Sequence, residues 1–388
     1  MSLRLHTHGR IERRVGKTVL GRITFRPTEL NSRADYIRVL KTFDRESDLE
    51  GYAGVLTQSD VSTEQRSRIE SGCLQLVDRV AHLDHLCEGD VVAINPNGYV
   101  RTLYRIESQH NAIFATDRCN SFCLMCSQPP KPVDDSDRID EHLRLVELID
   151  PSCRELGITG GEPSLLKDDL LRIIRHCQSY LPDTAIHILT NGRLFYYDSF
   201  ARKLGALGHP DLVLGIPLYS DLDYDHDFVV QSKGAFHETV IGLQNLGRHG
   251  VAVEIRIVIH LLTFARLAQL AEFIYRNFPF AVHVALMGLE LMGFAVPNFS
   301  QLWIDPFDYR RQLREATVFL ASRGMNVSIY NHQLCIVPSE LWQYCQRSIS
   351  DWKNEFLESC DGCAERGNCG GFFSSNVKRA VSRHIAPL

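Results

Sequence analysis

Three cysteines lie close together about a third of the way along the chain, at Cys119, Cys123 and Cys126. A loop with this spacing can turn all three thiols toward one metal group, and Cys thiolates are the standard ligands of iron–sulfur clusters. Three thiolates leave one iron of a four-iron cluster open, and catalytic metal sites keep such an open position. The motif therefore predicts an iron–sulfur cluster that takes part in chemistry. A zinc site and a chance arrangement are the alternatives.

A second group of cysteines lies near the end of the chain, where Cys360, Cys363 and Cys369 follow Cys335 and Cys345. Four thiolates can close a tetrahedral zinc site or fully ligate a second [4Fe-4S] cluster, and spacing alone does not separate the two. We expect Cys335 to complete the set with Cys360, Cys363 and Cys369, and Cys345 is the alternative to Cys335. The remaining cysteines are expected to be buried small hydrophobic residues; they are Cys73, Cys87, Cys153 and Cys177.

The composition is that of a soluble globular protein, because the 388 residues are 44% hydrophobic, 23% charged and 9% aromatic. At about 150 residues per domain, this length predicts two or three domains. No stretch reaches the ~18 apolar residues of a membrane helix, and residues 1–19 lack the apolar run of a secretory signal. A net charge of -5 argues against a basic nucleic-acid binder. We expect a reducing, cytoplasmic location, and neither a membrane nor a nucleic acid as partner.

Strand and helix patterns alternate between about residues 110 and 325. Apolar runs recur at 112–115, 156–158, 185–189, 212–216, 251–259 and 282–287, and amphipathic stretches at 140–148, 165–180, 198–207, 235–248, 264–276 and 307–321. Six β-then-α units predict an α/β fold, a parallel sheet that right-handed crossovers curl into a partial (β/α)6 barrel. Ligands of such sheets bind at the carboxyl ends of the strands. The first cysteine motif follows the first strand, so we expect it at that end.

Two regions of different character flank the barrel, and we expect domains at residues 1–108, 109–325 and 326–388. The first is small and strand-rich, and apolar runs at 91–95 and 99–105 flank an Asn-Gly turn, which is a strong hairpin signal. This domain either binds a peptide as an added strand at an exposed edge or only packs on the barrel. The last domain is too short to build much apolar core, so a metal site is expected to supply folding free energy.

The segment CNSFCLMC at residues 119–126 resembles the signature of the radical S-adenosylmethionine (SAM) superfamily. The resemblance covers about residues 110–325 and implies a partial barrel of radical SAM type. It also implies a [4Fe-4S] cluster held by Cys119, Cys123 and Cys126, with SAM bound at the open iron. The residue before the third cysteine is usually aromatic in that superfamily, where it touches the adenine, and here it is Met125.

The resemblance also assigns SAM contacts to residues at and near the ends of later strands. The segment GGEP at 160–163 is similar to the one that contacts the SAM amino group, and the other positions reach the ribose and the carboxylate. Taken alone, each is an ordinary turn or ion-pair residue. The assigned residues are Gly160, Gly161, Glu162, Asn191, Ser220 and Arg256. The catalytic acid and base are unknown, and Glu254, Glu290 and Asp305 are only positional candidates.

A more specific resemblance extends over most of the chain. The segments CNSFCLMCSQPP at 119–130, YNHQLC at 330–335, SISDWKN at 348–354 and CGGFF at 369–373 look like the radical SAM maturase of His-Xaa-Ser repeat peptide systems. This likeness implies a bacterial enzyme whose substrate is a ribosomally made precursor peptide. It implies an electron donor such as flavodoxin or ferredoxin and a second radical SAM maturase acting alongside. It also favours an auxiliary [4Fe-4S] cluster over zinc at the C-terminal cysteines.

Three functions remain open from the sequence. The first is a radical SAM peptide maturase, in which the auxiliary cluster accepts an electron, binds substrate or only stabilises the fold. The second is a radical SAM enzyme for a small molecule or RNA, and the lack of a basic, aromatic stripe argues against RNA. The third is a non-enzymatic thiolate–metal regulator. A regulator would need four ligands at each site, whereas the first motif supplies three.

Overall fold

The structure is a computed structural model that describes residues 5–12, 16–41, 48–72, 75–347 and 354–388. The chain divides into two compact units. The first consists of residues up to 113 together with 136–156 and 173–185, and the second of 114–135, 157–172 and 186–388. The domain limits at 108 and 325 stay a prediction.

The first unit contains a seven-stranded mixed sheet with the strand order β1-β7-β6-β2-β3-β4-β5. The strands from β2 to β5 run parallel, and β6 pairs antiparallel with β2 and with β7. One α-helix, α1 (Thr63–Gly72), lies between β4 and β5 in the chain. The strands are β1 (His6–His8), β2 (Val19–Thr24), β3 (Tyr36–Leu40), β4 (Gly54–Thr57), β5 (Leu76–Val77), β6 (Val91–Ile94) and β7 (Tyr99–Tyr104).

The hairpin expected from the Asn-Gly turn is confirmed as β6 and β7. Gly98 closes the turn with a φ of 85°, in the left-handed region that glycine tolerates best. A Cβ at Gly98 would lie 2.3 Å from the main-chain oxygen of Gly9, so the turn also needs the absence of a side chain. Ile23, Ile37 and Leu56 are fully buried in the core of this sheet, which is the strand-rich packing that the sequence predicted.

The second sheet has eight strands in the order β15-β14-β13-β12-β11-β10-β9-β8. All neighbouring pairs from β10 to β15 are parallel. Within the described part of the chain, β8 and β15 do not pair with each other, so the sheet is open. The predicted α/β class is confirmed. The strands are β8 (Asn111–Phe114), β9 (Glu155–Thr159), β10 (Ala185–Leu189), β11 (Leu212–Pro217), β12 (Ala252–Ile259), β13 (His283–Gly288), β14 (Val327–Tyr330) and β15 (Cys345–Gln346).

Helices connect these strands in the order expected of β-then-α units. They are α2 (Arg138–Leu148), α3 (Asp168–Tyr180), α4 (Asp198–Gly205), α5 (Asp223–Val230), α6 (Ala235–Arg248), α7 (Leu267–Asn277), α8 (Phe299–Leu302) and α9 (Arg310–Ser322). Among the described residues, none of these helices has the length and apolar character that crossing a membrane would require.

The apolar periodicity located some elements accurately and missed others. The strand expected at 185–189 is β10 and the helix expected at 235–248 is α6, each with the predicted bounds. Patterning did not predict α5, whose buried side chains include the polar His226. It also did not predict β14 and β15, which extend the sheet beyond six strands and are too short to carry a clear alternation.

The chain after β15 contains the short antiparallel pair β16 (Asn354–Glu355) and β17 (Phe372–Phe373). The segment SISDWKN falls mainly on residues 348–353, which lie outside the described residues. The Asn376 side chain donates to Leu289 O and accepts from Leu291 N–H, both at 2.8 Å. These two hydrogen bonds join the C-terminal segment to the loop that follows β13.

Candidate metal and cofactor site

The cysteine loop follows β8, at the carboxyl end of a strand as the sequence predicted. The buried carboxylate of Asp135 holds the start of the loop, because it accepts hydrogen bonds from Thr116 Oγ1 at 2.9 Å, Asp117 N–H at 2.7 Å and Arg118 Nε at 3.1 Å. Three donors on one carboxylate give the residues before Cys119 a single conformation.

The rest of the loop is fixed through its main chain. Leu124 N–H donates to Val229 O at the end of α5, at 2.9 Å. The Asn298 amide donates to Leu124 O at 3.0 Å, and Phe294 N–H donates to Cys126 O at 2.8 Å. Met125 points into an apolar cluster and is 7% exposed. The thiols are therefore carried by a loop whose polar backbone groups are already paired.

The three thiols lie close enough to influence each other's ionisation. Burial raises the pKa of Cys119 to about 11 and that of Cys123 to about 12. Negative charge on Cys126 and Cys119 adds to the increase at Cys123, and burial also raises the pKa of Cys126. Three buried thiols that disfavour each other's charge are stabilised as thiolates by a shared cation, which is the chemistry of a metal ligand set.

Donor chemistry and position thus fit a thiolate-bound cluster at Cys119, Cys123 and Cys126. Within the described ranges, no three His, Cys, Asp or Glu side chains converge closely enough to hold a single metal ion. In a cubane cluster each thiolate binds a different iron atom. The assignment of the three thiols as cluster ligands stays a prediction.

Gly160 and Gly161 pack directly against the backbone that leads into the cysteine loop. Gly160 has a φ of 139°, and a Cβ at Gly161 would lie 2.1 Å from Arg118 O. Gly161 N–H donates to Thr116 O at 2.7 Å. Because a side chain cannot fit here, the two glycines are needed to bring β9 and the cysteine loop together, and their contact with SAM stays a prediction.

Glu162 is fully buried and joins the ends of β9 and β10. Its Oε1 accepts from Ser164 N–H at 2.9 Å and from the Thr190 hydroxyl, and its Oε2 accepts from Asn191 N–H at 2.6 Å. Burial raises the pKa of Glu162, while the hydrogen bonds from Ser164, Thr190 and Asn191 oppose the increase. Each carboxylate oxygen has two acceptor positions, so Oε2 retains capacity for a ligand amino group.

Asn191 reaches the cysteine loop, because its Nδ2 donates to Asn120 Oδ1 at 2.6 Å. Arg193, two residues further on, was missed by the sequence analysis. Its guanidinium donates to Asn120 O, to Ser121 Oγ at 3.0 Å and to Ser232 Oγ at 2.9 Å. Its charge also opposes the increase in the pKa of Cys123. Its place beside the Thr-Asn-Gly turn was the only sequence signal that pointed to it.

Ser220 is buried and serves the turn before α5, since its Oγ accepts from Leu222 N–H at 3.2 Å and lies 3.4 Å from Asp225 Oδ2. Arg256 lies in β12, paired in register with Pro217 of β11. The structure therefore places Ser220 beyond the end of β11 and Arg256 within the sheet, below that end.

Tyr219 is a second residue that the sequence analysis missed. Its ring is 6% exposed and packs in the same apolar cluster as Met125. Burial raises the pKa of Tyr219 well above its ordinary value, thiolate charge at Cys123 and Cys126 raises it further, and the charge of Arg256 opposes the increase. The phenol therefore lies within electrostatic range of both the cysteine loop and Arg256.

The C-terminal cysteines line a separate pocket. Its space is about 350 Å³, part of it open to solvent, and Cys335, Cys360, Cys363 and Cys369 all face it. Burial raises the pKa of Cys335, an N–H donated by Ala386 opposes this, and charge on Cys369 and Cys360 adds to it. The structure thus brings together the four thiols that the sequence grouped, and their ligand role stays a prediction.

Residues 385–388 also line this pocket. Leu388 N–H lies 3.4 Å from Cys363 Sγ, and Ala364 N–H donates to Leu388 O at 2.9 Å. Cys345 does not line the pocket, and its Sγ lies 3.6 Å from Leu341 O. The geometry therefore favours Cys335 over Cys345 as the fourth thiol.

The scattered cysteines behave largely as expected. Cys153 and Cys177 are buried, which confirms the prediction. Cys87 is only partly buried, so the prediction was wrong for it. Cys73 lies outside the described residues.

Comparison with known proteins gives one family and a set of distant relatives. Residues 113–274 match the family model of the radical SAM superfamily. The GTP 3',8-cyclase of Nautilia profundicola is 27% identical over 154 residues, which are 38% of this chain and 46% of that enzyme. The GTP 3',8-cyclase of Sulfurimonas denitrificans is 30% identical over 152 residues, covering 38% of this chain and 45% of the enzyme. The chain therefore spans less than half the length of these relatives.

Solved structures with a similar course of the chain were also found. Streptococcus suis SuiB bound to S-adenosylmethionine has a TM-score of 0.47 and 16% identity, over 60% of this chain and 53% of SuiB. Coproporphyrinogen III oxidase (HemN) from Escherichia coli, described as a radical SAM enzyme, has a TM-score of 0.43 and 18% identity, over 56% of this chain and 52% of that one.

Proposed function

The chain belongs to the radical SAM superfamily through residues 113–274, and we propose that it is a radical SAM enzyme that modifies a ribosomally made peptide. The observation that carries the proposal is the cysteine loop. Three buried thiols with raised pKa values lie at the carboxyl end of β8 on a loop with a fully paired backbone. Cys119, Cys123 and Cys126 hold the cluster in this proposal.

When bound, the [4Fe-4S] cluster supplies one electron that cleaves SAM into methionine and a 5'-deoxyadenosyl radical, which abstracts hydrogen from a substrate C–H bond. The chain's own part is orientation. Arg193 fixes the carbonyl of Asn120 at the start of the loop, and Glu162 holds the turn that carries Asn191. These contacts keep the thiols and the SAM-contacting groups in one arrangement before SAM binds.

The peptide substrate is proposed from the chain outside residues 113–274. The motifs at 330–335 and 369–373, which resemble the His-Xaa-Ser maturase, supply thiols to the C-terminal pocket. We propose that Cys335, Cys360, Cys363 and Cys369 hold an auxiliary [4Fe-4S] cluster there. The partners proposed with it are a precursor peptide, a small electron-transfer protein and a second maturase.

A nucleotide substrate is the second candidate, because the curated relatives are GTP 3',8-cyclases. Their similarity reaches 38% of the chain and leaves most of it unmatched. A radical SAM enzyme of either kind needs the same first cluster. The substrate therefore has to be decided by turnover rather than by metal content.

The deciding experiment measures iron, labile sulfide and zinc on anaerobically prepared protein, and then 5'-deoxyadenosine formed from SAM with a reductant. The variant Cys126→Ala removes one thiol of the loop, and Cys87→Ala is the matched control because Cys87 belongs to neither group. We expect about eight irons in the wild type and the control and about four in Cys126→Ala. We expect 5'-deoxyadenosine from the first two proteins only.

The outcomes separate the candidates. A mass change in a His-Xaa-Ser repeat peptide, with 5'-deoxyadenosine formed in step, supports the maturase, and conversion of GTP instead supports the nucleotide enzyme. About four irons with one zinc would make the C-terminal pocket a structural zinc site. Zinc without iron after reconstitution would overturn the radical mechanism and leave the thiolate–metal regulator.

A further inference from the structure

One face of β12 carries charge where the other carries the hydrophobic core. Val253, Ile255 and Ile257 are fully buried, and Glu254 and Arg256 alternate with them on the opposite face. The Glu254 side chain is 11% exposed and that of Arg256 is 16% exposed. A charged pair this poorly solvated needs partners of its own within the fold.

The carboxylate of Glu254 contacts side chains from three different strands. Its Oε1 accepts from Arg256 Nη1 at 2.7 Å and lies 3.7 Å from His187 Nε2 in β10. Its Oε2 lies 2.7 Å from His283 Nδ1 in β13, and the other ring nitrogen of His283 lies 3.0 Å from Ser328 Oγ in β14. Both oxygens are thus engaged, so the carboxylate has one orientation.

The space around Arg256 is also determined. A Cβ on Gly215, in β11, would lie 3.0 Å from Arg256 Cδ and 3.0 Å from His187 Nε2. The Arg256 side chain therefore passes over the position where any other residue in β11 would place a side chain. The main-chain oxygen of Arg256 accepts from Leu218 N–H at 3.0 Å, directly before Tyr219.

These contacts connect Arg256 to the cysteine loop. Tyr219 packs with Met125 in one apolar cluster, and Met125 precedes the third thiol of the loop. The guanidinium has five donors, and its contact with Glu254 occupies one of them. The planar group is therefore fixed at one edge while other donors remain for an anionic ligand.

We propose that Glu254 is a positioning residue, which orients Arg256 so that its guanidinium can bind the carboxylate of SAM. The inference rests on the proposed function, because it concerns the same SAM site. Glu254 itself does not touch SAM. Its low pKa, about 2, keeps the carboxylate charged at neutral pH because the hydrogen bond from His283 and the charge of Arg256 outweigh the effect of burial.

A purely structural role for Glu254 makes a different prediction. In that case Glu254 only balances buried charge, and its removal lowers stability without a specific effect on SAM. The two roles separate in a double-mutant cycle of Glu254→Gln and Arg256→Gln, measured as the Kd for SAM of the cluster-loaded protein under anaerobic conditions. Asp198→Asn is the matched control, since it removes a carboxylate paired with Arg248 at 3.1 Å on an exposed surface.

We expect Glu254→Gln to raise the Kd for SAM about tenfold, the size of one charge-assisted hydrogen bond, with kcat at saturating SAM nearly unchanged. Arg256→Gln should raise the Kd at least as much, and the double variant no further than Arg256→Gln alone. Gly215→Ala, which leaves all charges in place, should also raise the Kd by crowding Arg256. The control should bind SAM like the wild type.

Two results would overturn the inference. One is a Kd of Glu254→Gln within about twofold of the wild type, and the other is full additivity in the double variant. Both leave the proposed function intact as long as the wild type binds SAM and forms 5'-deoxyadenosine. A cluster-loaded wild type that binds no SAM would overturn the proposed function and this inference together.

Discussion

Replacing Arg193 tests whether the cysteine loop is held in place from behind by a single side chain. Arg193→Gln removes the donors that reach Asn120 O, Ser121 Oγ and Ser232 Oγ. Each lost hydrogen bond is worth about 1 kcal/mol of net stability, which gives about 3 kcal/mol for the three. The ion pair with Glu238 is left out of this sum because that carboxylate is 39% exposed and solvent screens it.

A loss of about 3 kcal/mol corresponds to a melting temperature lower by roughly 6–12 °C in a domain of this size. The assay is thermal unfolding of the cluster-free protein, followed by iron content after reconstitution. We expect Arg193→Gln to melt earlier and to retain less iron at the first site. Arg193→Lys should recover under half of the loss, because an ammonium cannot reach acceptors in three directions as the guanidinium fork does.

The matched control is Arg248→Gln, the same substitution at an arginine that is 64% exposed and pairs with Asp198 on an outer helix. It should melt within about 1 °C of the wild type, as surface substitutions usually do. The reasoning is refuted if Arg193→Gln melts and binds iron like Arg248→Gln. The loop would then owe its conformation to its other contacts.

Three further predictions concern other parts of the chain. Gly161→Ala should abolish 5'-deoxyadenosine formation, because its Cβ would lie 2.1 Å from Arg118 O, whereas Gly16→Ala, with no atom within 4 Å, should not; equal activity of the two variants would contradict this. Deleting residues 385–388 should make iron in the C-terminal pocket more accessible to a chelator, since these residues line it; unchanged chelation rates would count against a covering role. Burial lowers the pKa of His260 to about 3 from 6.5, so stability present above pH 6.5 should be lost as the pH falls toward 3, and His260→Gln should reduce the slope of stability against pH by about one proton; an unchanged slope would argue against this.

The sequence alone determined the class of fold and the grouping of the thiols. Apolar alternation is a local property, so β10 and α6 could be located to the residue. The cysteine motif is likewise local, because three thiols within eight residues need no distant contact to lie on one loop. The Asn-Gly hairpin was predictable for the same reason, since its turn geometry depends on consecutive residues.

Only the tertiary structure decided which residues support those thiols. Arg193 lies some 70 residues from Asn120, and nothing in its immediate sequence requires that contact. The choice of Cys335 over Cys345 depends on which thiol faces the pocket, a matter of strand position rather than spacing. The partners of Glu254 come from three other strands, which sheet register brings side by side. Sequence patterns record local preference, whereas burial and register join residues that are far apart in the chain, and that is why the supporting contacts appear only in the folded protein.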